Sequence, residues 1–211
     1  MSTMKKVASI AFTGAAAAVA AGFNAVPAFA SGATWKVSPN GAYSALNQSG
    51  AATLTAGAVT LTCPTSTAFA SGSLVASAAG STAQVGTVNA TFGASGVPCT
   101  FGTIQFSAHL VHPAQLWASA YHSGVTQGAI KSISASINGL NLTCHAKVTG
   151  SSIPATFDNA THALTVNQAG TKTLTVGSVT GCLGALQNGQ SAGFTAKYNI
   201  LSPSGVTITD P

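Results

Sequence analysis

The chain has 211 residues, 46% of them hydrophobic and 4% charged, with no Arg or Glu and only two acids, Asp158 and Asp210. Its formal net charge is +5 with the histidines neutral, but the lysines are scattered, and nucleic-acid binding needs clustered cations that release counterions. Disorder is excluded too, because disordered chains are rich in charge and poor in apolar residues.

The chain opens on a targeting pattern. Lys5 and Lys6 precede an apolar, Ala-rich run from Val7 to Val26, and Ala28-Phe29-Ala30 is a small-x-small cleavage site. The pattern predicts a signal peptide over 1–30 and a single exported domain over 31–211. No cysteine lies near Ala30 to carry a lipid, and no later apolar run is long enough to span a bilayer, so no integral membrane anchor is expected. Lys36, Lys131, Lys147, Lys172 and Lys197 then face two aspartates, and the domain's surface must be made of Thr, Ser, Asn, Gln and Gly.

Alternation with a period of two governs this domain. Val59, Leu61 and Cys63 share one face, with Thr60 and Thr62 on the other. Ile104, Phe106, Ala108 and Leu110 alternate with Gln105, Ser107 and His109. The stretch "SISASINGLNLTC" holds Asn138-Gly139 between two alternating runs, the signature of a two-residue type I′ hairpin. That turn would set Ile137 opposite Leu140, Ala135 opposite Leu142 and Ile133 opposite Cys144, all on the apolar face. Phe194, Ala196, Tyr198 and Ile200 form the last such run. Turn clusters such as Pro39-Asn40-Gly41, Asn188-Gly189 and Ser202-Pro203 separate the runs, and the one helical candidate is a turn near Leu183 to Asn188. Many short strands with frequent turns predict an all-β, disulfide-stapled antiparallel β-sandwich.

Four cysteines in an exported chain read as two disulfides, and no Cys-x-x-Cys pair suggests zinc or redox chemistry. Leu61-Thr62-Cys63 recurs as Leu142-Thr143-Cys144, and a second cysteine follows each, at Cys99 and Cys182. Val85-Gly86-Thr87-Val88 precedes the first of these and Val176-Gly177-Ser178-Val179 the second. If the echo marks a duplicated strand–loop–strand unit, the bridges are Cys63–Cys99 and Cys144–Cys182; two other connectivities remain open.

Few residues carry chemistry. Gly189-Gln190-Ser191-Ala192-Gly193 matches a nucleophile elbow, but that elbow needs a following helix and a later histidine. A strand pattern follows instead, and no histidine lies after Ser191. His109, His112 and His122 could gather a transition metal only if His122 folds back across a hairpin, since i and i+3 point to opposite faces of a strand. Surface histidines are the default, and no metal or cofactor is expected. Asp158 sits in a turn and Asp210 at the chain end, a poor pair for acid–base work. Trp35, Tyr43, Trp117 and Tyr121 form a possible ligand platform, because ring stacking on sugars needs no charge. Their alternative is the core. Asn47, Asn89, Asn141 and Asn159 begin glycosylation sequons, which matter only in a glycosylating host.

The C-terminal stretch "VTGCLGALQNGQSAGFTAKYNILSPSGVTITDP" resembles the end of a family of small secreted β proteins of actinomycetes. The features that carry the likeness are Gly181-Cys182, Gly184, Gly189, Phe194, Tyr198, Ser202-Pro203 and Ile208 to Pro211, with Trp35-Lys36-Val37-Ser38-Pro39 at the start. Gln190 stands where that family often has Asp. The middle, with Trp117 before Gly124 to Ile137, is similar in style to the secreted alkane-oxidation activators of pseudomonads, which are associated with the cell surface and biofilm matrix. The resemblance implies export, a β fold and a non-enzymatic role, and it carries over no catalytic residue.

The resulting expectation is a non-enzymatic protein of the cell surface or extracellular matrix. Its partners would be copies of itself or a wall or matrix polysaccharide, because strand edges without charge are unguarded against pairing. The alternative is a monomeric secreted module that binds a neutral polysaccharide or a hydrophobic ligand.

Overall fold

The structure is a computed structural model that describes residues 34–93, 96–168 and 172–210. The expected signal peptide, 1–30, lies outside these residues. The strands are β1 (Thr34–Ser38), β2 (Gly41–Asn47), β3 (Ala52–Ala56), β4 (Val59–Cys63), β5 (Ala68–Leu74), β6 (Ser77–Ala79), β7 (Ala83–Phe92) and β8 (Cys99–Phe101). They continue as β9 (Ile104–Leu110), β10 (Ala114–His122), β11 (Val125–Gly139), β12 (His145–Asp158), β13 (Ala163–Asn167), β14 (Leu174–Thr180), β15 (Ser191–Ser202) and β16 (Thr207–Thr209). No helix occurs among the described residues. The fold is all-β and antiparallel, as the alternation predicts.

The two layers of the expected sandwich are joined on both sides by hydrogen-bonded strands. One ring runs β2-β5-β7-β10-β11-β12-β13-β15 and returns to β2. A second runs β3-β4-β8-β9-β11-β12-β14-β15 and returns to β3. Each ring has eight strands, and β11, β12 and β15 belong to both. These three are 15, 14 and 12 residues long, so each can pair with different neighbours along its length. A closed sheet has no edge left to pair with another chain.

Side chains alternate apolar inward and polar outward. In β12, Ala146 and Val148 are buried while His145, Lys147 and Thr149 are exposed. This is the reverse of a membrane-spanning barrel, which shows its apolar band to lipid. Among the described residues no helix is long and apolar enough to cross a membrane. A small sheet, β16-β1-β6, docks on the barrel end where β11 starts and β12 ends. Thr126 Oγ1 donates to the Ile208 carbonyl at 2.8 Å, and Asn159 brackets the same residue with bonds of 3.0 and 2.9 Å.

Both disulfides form as the echo suggests, Cys63–Cys99 and Cys144–Cys182. Two bridges are the mark of an oxidising, extracytoplasmic environment. The repeated sequences do not adopt one structure, however. Leu61-Thr62-Cys63 lies on β4, whereas Leu142-Thr143-Cys144 lies in the loop before β12.

That loop also corrects the hairpin. Asn138 and Gly139 are the last residues of β11 rather than its turn, and Asn138 pairs with His145 and Ile137 with Ala146. The connection is the longer loop 140–144, closed by the Gly139 amide donating to the Cys144 carbonyl at 2.7 Å. Neighbouring strands outcompete the tight turn. β11 must extend to Gly139 to pair with Phe106 of β9, and Asn141 bonds the Gln105 amide and the Thr103 carbonyl at 3.0 and 2.9 Å. The helical turn expected near Leu183 to Asn188 is absent as well, because Leu183 and Gly184 take left-handed φ values of 50° and 81°.

Candidate functional site

The site with most chemical content is the barrel interior. An apolar cavity of about 100 Å³ lies at its centre, walled by Phe92, Phe106, Ile133, Val166, Phe194 and Tyr198 among others. A smaller space of about 40 Å³ lies beside Tyr43, Leu116, Phe157 and Ile208. Ala70 and Leu164 border both spaces. Neither wall includes a charged side chain. Alternation explains the lining: Leu54, Leu61 and Phe194 point in because Thr53, Thr62 and Thr195 point out.

Tyr43, Tyr198 and Asn47 are polar side chains that face inward; Ser134 and Gln168 are buried as well, and Ser107 and Thr126 border the two spaces. Tyr43 lies across from Gly72, where an added Cβ would fall 1.9 Å from the Thr87 carbonyl oxygen and 2.8 Å from the Tyr43 ring. Glycine therefore leaves the room that lets the Tyr43 hydroxyl donate to that same oxygen at 3.1 Å. Tyr198, on β15, is 3% exposed, and its hydroxyl has no protein partner. Directly opposite on β2, Asn47 is wholly buried and neither atom of its side-chain amide is partnered. The sequence places Tyr198 in an alternating run and among the residues of the C-terminal resemblance, and Asn47 in a sequon, with no sign of an interior polar role for either. The available signal was position: Asn47 falls on the buried face of β2 with Tyr43 and Ala45.

Burial pushes both phenols above their ordinary pKa of about 10, and for Tyr198 the neighbouring Tyr43 adds to the rise. A phenol that stays neutral when folded but ionises when unfolded contributes its full stability below pH of about 10 and loses it as pH rises further. Melting temperature is therefore expected to hold up to about pH 9 and to fall above about pH 10. The fall should be shallower in a Tyr43→Phe, Tyr198→Phe double variant. An identical alkaline fall in parent and double variant, followed by circular dichroism, would contradict this assignment.

The aromatic platform is not assembled. Trp35 is fully buried and donates its indole N–H to the Gly80 carbonyl at 3.1 Å, and Tyr43 is interior. Trp117 is half-buried on β10, its ring covered by the Lys131 ammonium 3.8 Å from the centroid. Tyr121 is exposed, but an irregularity between Ala118 and Ala120 changes the sense of alternation. Trp117 pairs with Ala129 and Tyr121 with Thr126, residues an odd number apart, so the two rings point to opposite faces.

His109 lies on β9, His112 just beyond it and His122 at the end of β10. Among the described residues no three His, Cys, Asp or Glu side chains gather as metal ligands. Ser191 is the first residue of β15, so the Gly-x-Ser-x-Gly match leads into a strand. The Asp158 carboxylate accepts the Ala160 and Thr161 amides at 2.8 and 3.2 Å, which lower its pKa, Ala160 most. Both amides bond Oδ1, which is thereby spent on the turn.

Compared with known protein families, with curated proteins and with solved structures, the chain has no match.

Proposed function

We propose that the protein is a secreted, non-enzymatic barrel that binds one small apolar molecule in its interior. The observation that carries this reading is the apolar cavity of about 100 Å³ inside an eight-stranded closure. A ring of that size has just enough interior to be filled by side chains or to hold one small ligand. Here Ala70, Ala90, Ala108 and Ala135 border the space and leave it open. A barrel serving only as a rigid body would gain stability from larger residues at those places.

Benzene probes the upper limit of the space, because a dry apolar cavity of about 150 Å³ accepts it and this one measures about 100 Å³. At ten times its dissociation constant it should stabilise the folded state by about 1.4 kcal/mol. For a domain of this size that raises the melting temperature by about 3–6 °C. Ala90→Leu should fill the space and abolish the rise. A melting temperature unmoved by benzene in the parent chain would sink the reading.

A second reading rests on the outer face. Thr195, Thr53, Thr62 and Thr100 are successive cross-strand partners over β15, β3, β4 and β8. Two of them, Thr53 and Thr195, share a hydroxyl contact of 3.1 Å. This uncharged ladder is where copies of the chain, or a neutral matrix polysaccharide, would meet the barrel. Since the edges of the large sheet are paired within the chain, self-association would have to use such a face. Sedimentation velocity decides: assembly that grows with concentration supports this role, and a concentration-independent monomer removes self-association.

A further inference from the structure

We infer that the barrel end opposite the small sheet docks on an anionic lipid surface, with Leu140 and Leu183 entering the bilayer boundary and Lys147 and Lys172 facing its headgroups. The inference goes beyond the cavity reading and stands without it. Three observations support it.

The first is where apolar surface is exposed. Among the described residues the two most exposed large apolar side chains are Leu183 at 87% and Leu140 at 54%. Both lie at the end where β11 stops and β12 starts, Leu140 on the loop between them and Leu183 on the loop from β14 to β15. The Cys144–Cys182 bridge ties these loops together. Gly181 packs so close to the Thr143 carbonyl that an added Cβ would fall 2.0 Å from its oxygen. The β8–β9 turn joins the same end through the bonds of Asn141 to Thr103 and Gln105, and half-buried Phe101 and Ile104 flank that turn.

The second is the backbone of Leu183. Its φ of 50° is in the left-handed region, where a leucine is an outlier and a glycine or asparagine fits at little cost. The side chain gains almost no burial from the protein in return. A residue both strained and exposed points to function rather than packing. Entry into the headgroup–acyl boundary supplies the burial that the fold does not.

The third is the distribution of charge. The side-chain carboxylates both lie at the other end: Asp158 closes β12, and Asp210 follows β16 in the small sheet. Lys36, paired with Thr209, and Lys197, paired with Thr165 of β13, accompany them. The leucine end holds lysines without acids. Lys147 is exposed on β12 two residues after His145, and Lys172 donates to the Gly57 carbonyl in the β3–β4 turn at 3.2 Å. An anionic leaflet attracts these two lysines while the carboxylates stay on the far side, more than a screening length away. A second copy meeting this end about a two-fold axis would set the same lysines against their own equivalents.

Co-sedimentation of the oxidised protein with vesicles tests this, using phosphatidylcholine alone and phosphatidylcholine mixed with phosphatidylglycerol. The parent is expected to bind the mixed vesicles at low salt at least about tenfold more tightly than the neutral ones. Leu183→Asn, which suits the left-handed backbone, should weaken binding at least about tenfold, the worth of one buried leucine. A Lys147→Gln, Lys172→Gln double variant should weaken it about thirtyfold. Lys36→Gln with Lys197→Gln removes the same charge from the far end and should leave binding within about threefold. All these side chains are exposed, so each variant should keep the parent's circular dichroism spectrum. Failure of the parent to bind mixed vesicles at low salt would overturn the proposal. Equal losses from the two lysine pairs would overturn it too, because net charge rather than this end would then drive binding. So would a Leu183→Asn protein that binds as tightly as the parent. Self-association that Leu183→Asn removes, without vesicle binding, would assign this end to a second copy instead. The benzene test reports on the cavity whichever of these results appears.

Discussion

Reduction of both disulfides is expected to remove about 8 kcal/mol of stability and leave the chain largely unfolded near room temperature. The bridges close loops with sequence separations of 36 and 38 residues. On chain-entropy grounds each closure contributes about 4 kcal/mol. Domains as a whole are stable by only about 5–15 kcal/mol. Position adds to the effect. Cys63 ends β4 and Cys99 begins β8, and these strands are otherwise joined in register only at Thr62 and Thr100. The bridge thus holds the thinnest seam of the second ring. Cys144–Cys182 ties the β11–β12 loop to the end of β14, where the pairing with β12 slips between His145 and Lys147. Urea titrations followed by circular dichroism, with and without reductant, measure the difference. Equal midpoints for reduced and oxidised protein would contradict it, as would a peptide map showing a Cys63–Cys182 link.

Trp35→Ala is expected to cost about 3–5 kcal/mol, the usual loss for a large aromatic truncated in a core. For a chain of this length the melting temperature falls by about 6–20 °C. The indole is wholly enclosed, and its N–H is bound to the Gly80 carbonyl. Its removal leaves a void under β1 and an unsatisfied carbonyl beside β6. The small sheet should loosen first, because it joins the barrel through few bonds, those of Thr126 and Asn159 to Ile208 among them. A tryptophan serving as a sugar platform behaves differently: its loss would cost binding and spare stability. A Trp35→Ala protein that melts within about 2 °C of the parent would return the residue to the surface.

Strand character and disulfide pairing were readable from the sequence because they depend on local pattern. Val59, Leu61 and Cys63 alternate in the chain and are buried in the fold. The cysteine echo pointed to the right bridges even though its two copies fold differently. Closure of the sheet was not readable. It depends on β11, β12 and β15 changing partners along their length, which is a non-local property with no mark in any one segment. The Asn138-Gly139 turn failed for the same reason, since pairing with β9 extended the strand through it. The platform failed on a single inserted position in β10, which separates Trp117 from Tyr121. Exposure of aromatic rings is decided by packing partners, so Trp35 could not be told from Trp117 by spacing alone. The interior polar groups were hidden because Tyr198 and Asn47 occupy ordinary alternating positions. Only their unpartnered atoms distinguish them.

The most direct test of the binding account is diffraction from a crystal of the oxidised protein pressurised with xenon, which enters apolar cavities of this kind. A xenon atom is expected inside the barrel, among Phe92, Phe106, Ile133 and Phe194. A barrel interior without xenon, closed by those same side chains, would contradict it.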